Sequence, residues 1–120
     1  MADRIKPAIE PTEEDAMRDE TAVESEVQAK NLNAPRLNPA LIDATIVGEY
    51  YHVFPGSTTT VCLLSLKNGY SVVGESACAS PENFDMELGR KIAWDNARNK
   101  IWALEGYLLR QKLYEDKLFV

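Results

Sequence analysis

Only two cysteines occur in the 120 residues, Cys62 and Cys78, and no C-x-x-C pair exists. That is too few for a disulfide framework, and the spacing does not fit a zinc site. His52 is the only histidine, so a metal site would lack companion ligands. No metal and no cofactor are expected. There is no G-x-S-x-G elbow and no G-x-x-x-x-G-K phosphate loop. No apolar run approaches the roughly 20 residues of a spanning helix, so no membrane segment is expected. The opening stretch MADRIKPAIEPTEED has no apolar h-region, so no secretory signal is expected. Bases are in the minority, 13 against 19 acids, and the net charge of −6 argues against binding nucleic acid through bulk charge. What remains is a soluble, acidic, cytosolic single domain. Composition and spacing alone do not name its activity.

The charge is unevenly spread. Residues 1–36 carry nine acids and five bases, and residues 37–120 carry ten and eight. The first segment has no aromatic residue and few large aliphatics, too little apolar surface to offset its ordering entropy. It reads as a disordered or weakly helical acidic arm. The competing reading is an amphipathic helix with Ala16, Val23, Val27 and Leu32 as sparse anchors, docking on a partner or a sister subunit. Pro35 and Pro39 punctuate the junction. The expected organisation is an arm over 1–36 and a domain over 37–120.

Within the domain, Asn38-Pro39 is a cap followed by an N1 proline and predicts a short helix. Residues 45–54, 58–67 and 70–78 are rich in β-branched and aromatic types and predict three strands. Asn68-Gly69 predicts a two-residue hairpin turn between the second and third. Ser80-Pro81 reads as another cap, opening a helical segment from 84 to about 118 with acids early and bases late. Gly106 either splits that segment or admits a close backbone. The expected fold is α+β: a three-stranded antiparallel meander, one long or two consecutive C-terminal helices, a short helix before it, and a flexible acidic arm.

A two-residue turn pairs positions whose numbers sum to 137. One hairpin face then carries Cys62, Leu64, Leu66, Val73 and Ala77, and the other Val61, Leu63, Tyr70 and Val72. Cys62 and Cys78 fall on opposite faces, so no disulfide is expected. The long helix also shows two stripes: Met86, Ala93, Ala97, Ile101, Leu104 and Leu108 on one side, and Phe84, Leu88, Trp102, Leu109 and Leu113 on the other. One small sheet and one helix cannot cover all of this, so a homo-oligomer is expected. The alternative is that the short helix and the arm cover the remainder within one chain.

Candidate chemistry is sparse. His52 reads as a surface or rim residue. Cys78 needs a nearby base to act as a nucleophile, and only His52 could supply an imidazole. Glu75 could act as a general acid or base, or as an edge charge that discourages aggregation. No catalytic constellation emerges, so no enzyme is expected. The densest polar cluster runs from 68 to 98, at a strand-to-helix junction where free N–H groups suit an anion. Arg90 falls on an apolar stripe and must snorkel, pair with Glu87 or Glu75, or meet a ligand. Lys91 and Arg98 lie on the other side of the helix.

The stretch NGYSVVGESACASPENFDMELGRKIAWDNARNKIWALEGYLL resembles the small tailed-phage protein family named after gene product forty-nine of one podophage and gene product sixty-six of another. The resemblance spans about 39–113 and is strongest over 68–109. Ser80 stands where the family usually has aspartate, and the 54–60 connection is shorter than in many members. The family implies a conserved phage protein acting in the host cytoplasm, and little about activity. A looser, fold-level similarity links the pattern to phage sponges that sequester cyclic-nucleotide immune signals. That similarity implies a homo-oligomer that binds a small anionic, nucleotide-like ligand through Asn68, Asn83, Phe84, Arg90 and Arg98. A host protein docked on the acidic arm or surface is the alternative partner.

Overall fold

A computed structural model describes residues 13–30 and 34–118, with side chains from Glu20 onward. The elements in order are helix α1 (Glu13–Ala29), helix α2 (Pro39–Thr45), strands β1 (Ile46–Val53), β2 (Thr59–Leu66) and β3 (Ser71–Ala77), a single 3-10 turn (Pro81–Asn83) and helix α3 (Met86–Leu118). The sheet is an antiparallel meander in the order β1-β2-β3. The α+β fold expected from the periods is therefore the observed one.

Local chemistry explains the element boundaries. Asn38 caps α2: its Oδ1 accepts from the Leu41 N–H at 2.8 Å, and Pro39 occupies the first turn. The cap of α3 is not where Ser80-Pro81 placed it. Ser80 opens only the 3-10 turn, and its hydroxyl donates to Glu82 at 2.7 Å. Asp85 does the capping instead, accepting from the Leu88 N–H at 3.0 Å. Gly106 neither breaks α3 nor serves a close approach. The helix is continuous through it, and a Cβ there would meet only Leu37 Cδ1, at 3.8 Å.

The β2–β3 register differs from the two-residue expectation by one. Leu63 pairs with Val73, Leu64 with Val72 and Cys62 with Gly74. The connection is a three-residue loop. Leu66 O accepts from Gly69 N–H at 2.9 Å, Leu66 N–H donates to Tyr70 O at 2.8 Å, and Gly69 has φ 92°. That is a turn closed by a glycine bulge. The slip exchanges the faces of β3. Val72, Gly74 and Ser76 are buried with Thr60, Cys62, Leu64 and Leu66, whereas Val73 and Ala77 point outward. Both cysteines are free. The reason is not opposite faces but separation: Cys78 lies four residues past Gly74, the partner of Cys62, or about 13 Å along the ladder.

Helix α3 crosses the buried face on a stripe of small residues. A Cβ on Gly74 would fall 2.1 Å from Ala97 N and 2.4 Å from Ala93 O, so backbone meets backbone there. Ile42, Cys62, Leu64, Ala93, Ala97 and Ile101 are fully buried around this contact. Met86 and Leu108, at the ends of the expected core stripe, are exposed. The second stripe is covered in part by the chain itself: Leu37, with Val23 and Val27 of α1, lines a hollow against Trp102. The N-terminal segment thus contains a helix that lies against its own domain. Of its expected anchors, Leu32 and the Ala16 side chain lie outside the described residues. The outer face of the sheet keeps Tyr50 and Val73 exposed, with Val61 and Leu63 half-buried between them.

Candidate functional site

Two hollows flank the N-terminal half of α3. On the β1 side, alternation along the strand turns Glu49 and Tyr51 toward the helix, which answers with Glu87, Arg90, Lys91 and Trp94 at three- and four-residue spacing. The result is an open groove of about 700 Å³. Its centre is the Glu49 carboxylate. The Tyr51 hydroxyl donates to one oxygen at 3.0 Å and the Trp94 indole N–H to the other at 3.2 Å. Arg90 lays its guanidinium over the Tyr51 ring, 5.3 Å from the centroid. Among the described residues it pairs with neither Glu87 nor Glu75, nor with any other carboxylate. Burial, helped by the hydrogen bond to Glu49, pushes the Tyr51 phenol well above its ordinary range. Cys62 sits opposite Tyr51 in the ladder, and burial pushes its thiol up to about 11. Both groups are neutral at physiological pH.

The hollow on the β3 side measures about 250 Å³. Phe84, Leu88 and Ile92 give it apolar walls, and Asn83 and Cys78 stand at its edge. Asp85 lies in the same wall and caps α3, so a carboxylate already occupies the helix end that had been matched to an anion. The Cys78 thiol lies 3.1 Å from Ser80 O. His52 is on β1, with β2 between that strand and β3, and it packs edge-on against Phe54 at 4.6 Å. No imidazole therefore reaches Cys78. Glu75 pairs with Val61 on the exposed side of the sheet, outside both hollows.

The five residues expected to touch a ligand are distributed over four places. Asn83 and Phe84 come together in the β3-side hollow, and Arg90 lies in the β1-side groove. Asn68 sits on the hairpin loop, where its Oδ1 accepts from the Tyr70 N–H at 3.0 Å. That loop is at the opposite end of β2 from the 3-10 turn, roughly 25 Å away. Arg98 is buried. It donates to Asp43 at 2.7 Å, to Glu20 at 2.5 Å and to Pro39 O at 3.3 Å, beneath the Trp94 ring. Burial works against its charge, but the hydrogen bonds it donates to Glu20 and Asp43 win and hold its pKa above the ordinary value. Its guanidinium ties α1, α2 and α3 together. The expectation missed Glu49, Tyr51 and Trp94. Strand alternation inward from Val53, with Trp94 one helical turn beyond Arg90, was the available signal.

Among the described residues, no group of three His, Cys, Asp or Glu side chains is placed to hold a metal ion. None of the described helices is long and apolar enough to cross a membrane. Residues 37–113 match the profile of the Phage protein (N4 Gp49/phage Sf6 gene 66) family. Comparison with curated proteins and with solved structures found no significant match.

Proposed function

This chain belongs to the Phage protein (N4 Gp49/phage Sf6 gene 66) family, and from that membership we propose a phage accessory protein that acts by binding rather than by catalysis. It works in the host cytoplasm during infection, associates with itself, and sequesters a small nucleotide-derived signal of host immunity. The observation that carries this reading is Arg90: among the described residues it has no carboxylate partner, and it stacks on Tyr51 in a groove that also presents Trp94 and Lys91, where the Glu49 carboxylate is already taken up by the Tyr51 hydroxyl and the Trp94 indole. A planar guanidinium with free donors suits a phosphate, and neighbouring aromatic faces suit a base. Asn83 and Phe84 line the other hollow, across α3 from Arg90, and stand outside this groove. Arg98 supports the site from below, since its donors are committed to Asp43, Glu20 and Pro39.

An acidic tail that docks on a host enzyme is less well supported. Two of the arm's acids, Glu20 and Glu24, are engaged with Arg98 and Arg36 of the same chain.

Thermal-shift screening with linear and cyclic nucleotides and ADP-ribose derivatives tests the proposal. At least one compound raises Tm by several degrees, the shift disappears in Arg90→Ala, and the compound is recovered unchanged. A flat screen, or turnover of the compound, overturns it.

A further inference from the structure

Beyond Gly106, α3 leaves the sheet and runs on for three more turns. The molecule is 60 Å in its longest dimension, and a 33-residue helix accounts for about 50 Å of that. This projecting end is not polar. Tyr107 is 72%, Leu108 52%, Tyr114 57% and Leu118 61% exposed. Leu104, Tyr107, Gln111, Tyr114 and Leu118 follow one another at spacings of three and four, the a and d positions of a coiled-coil seam. The seam begins at Leu104, which still packs on the domain core, so it continues the helix face that covers the sheet. At its base lies an apolar groove of about 660 Å³, walled by Leu41, Leu66 and Tyr70 together with Leu104 and Leu108.

We propose that the projecting half of α3 pairs with the same segment of a second copy as an antiparallel two-helix coiled coil. The direction follows from sterics. The sheet already occupies this face of α3 as far as Leu104, so a helix running in the same direction would pass through it. A partner helix can enter only from the free end. When Leu118 of one copy reaches the partner's Leu104, Gln111 falls on the two-fold axis, because it lies midway between them. The Gln111 amide, which donates to Glu115 at 3.0 Å within one copy, then faces its own counterpart beside the axis. Leu118 enters the partner's groove beside Leu41 and Tyr70. The partner's Glu115 arrives at the level of Lys67 on the groove rim. The contact is isologous and closes on itself. Leu41, Tyr70, Tyr107, Leu108, Tyr114 and Leu118 together expose on the order of 600 Å² per copy, at roughly 150–250 Å² for each aromatic side chain. With the surrounding rim, that approaches the roughly 800 Å² per partner of a stable interface.

This deepens the self-association in the function proposed above and is independent of the ligand. Sedimentation equilibrium of the full chain at micromolar concentration tests it. The expected particle contains at least two copies. Tyr114→Asp with Leu118→Asp weakens association at least 100-fold and leaves the circular dichroism of the fold unchanged, whereas Tyr50→Asp on the outer sheet face does not weaken it. Gln111→Cys forms an intermolecular disulfide on mild oxidation. A monomeric wild-type chain, an unaffected double variant, or a Gln111→Cys chain that stays reduced overturns the proposal. A nucleotide-induced shift in the dissociated double variant, or a dimer that no nucleotide shifts, separates this result from the ligand question.

Discussion

Individual residues carry opposite consequences at the same residue type. Gly74 has no space for a methyl group, because its would-be Cβ meets the backbone of Ala93 and Ala97. Gly74→Ala must push helix and sheet apart, and it is expected to cost about 3 kcal/mol or more in urea unfolding. Gly106 meets nothing closer than a leucine methyl at 3.8 Å and lies in a continuous helix. Gly106→Ala is expected to stabilise by about 0.5–1 kcal/mol. A second residue-scale effect concerns alkaline pH. The Cys62 thiol is raised from 9.0 to about 11, so above pH 9 the unfolded chain loses a proton that the folded chain keeps. Stability therefore falls between pH 9 and 11, by about 2–3 kcal/mol from this group. Tyr51, also raised, steepens the fall above pH 10. Urea unfolding at pH 8 and pH 10.5 shows the loss, and Cys62→Ala has a lower but flatter profile. Arg98 shows where reading residues one at a time stops. Its charge and its place opposite the core stripe matched a ligand contact, but its partners Glu20 and Asp43 lie 78 and 55 positions away. No local pattern encodes such a pair.

At the scale of elements, the order, type and approximate limits of the three strands, α2 and α3 were legible, because period and cap chemistry are local properties. What was not legible was a one-residue choice at the hairpin. Asn68-Gly69 fits a two-residue turn and equally a three-residue turn closed by a bulge at Gly69. The packing of Gly74 under α3 decides between them, since only the observed register turns the residue without a side chain toward the helix backbone. The start of α3 shows the same limit. Ser80-Pro81 and Asp85 both carry cap chemistry, and only the structure shows which one faces the free N–H groups. Asp85→Ala is accordingly expected to cost about 1 kcal/mol, against a few tenths for Ser80→Ala. Paired denaturation curves measure the difference, and equal costs would return the cap to Ser80.

On the scale of the whole molecule, the family match begins at residue 37, yet helix α1, which precedes it, is tied into the domain. Glu20 of α1 accepts from the buried Arg98 at 2.5 Å and from the Trp102 indole at 3.1 Å, and Glu24 accepts from both terminal nitrogens of Arg36 at 2.8 and 2.9 Å. The acidic character of the arm suggested a solvated tail because composition counts charges without locating their partners. Two of those acids instead meet arginines of the same chain, one of them buried. Charge-assisted hydrogen bonds to a buried group contribute about 1.5–3 kcal/mol, whereas an exposed i,i+4 pair such as Glu26–Lys30 contributes a few tenths. Glu20→Ala in the full chain is therefore expected to lower Tm by roughly 5–15 °C, with a change in tryptophan emission as Trp102 loses its acceptor. Glu26→Ala is expected to shift Tm by no more than a degree or two. If both substitutions are equally silent, α1 is a solvated arm and the domain stands without it. If only Glu20→Ala is felt, the segment outside the family match is part of the folded unit, and binding measurements require the chain from α1 onward.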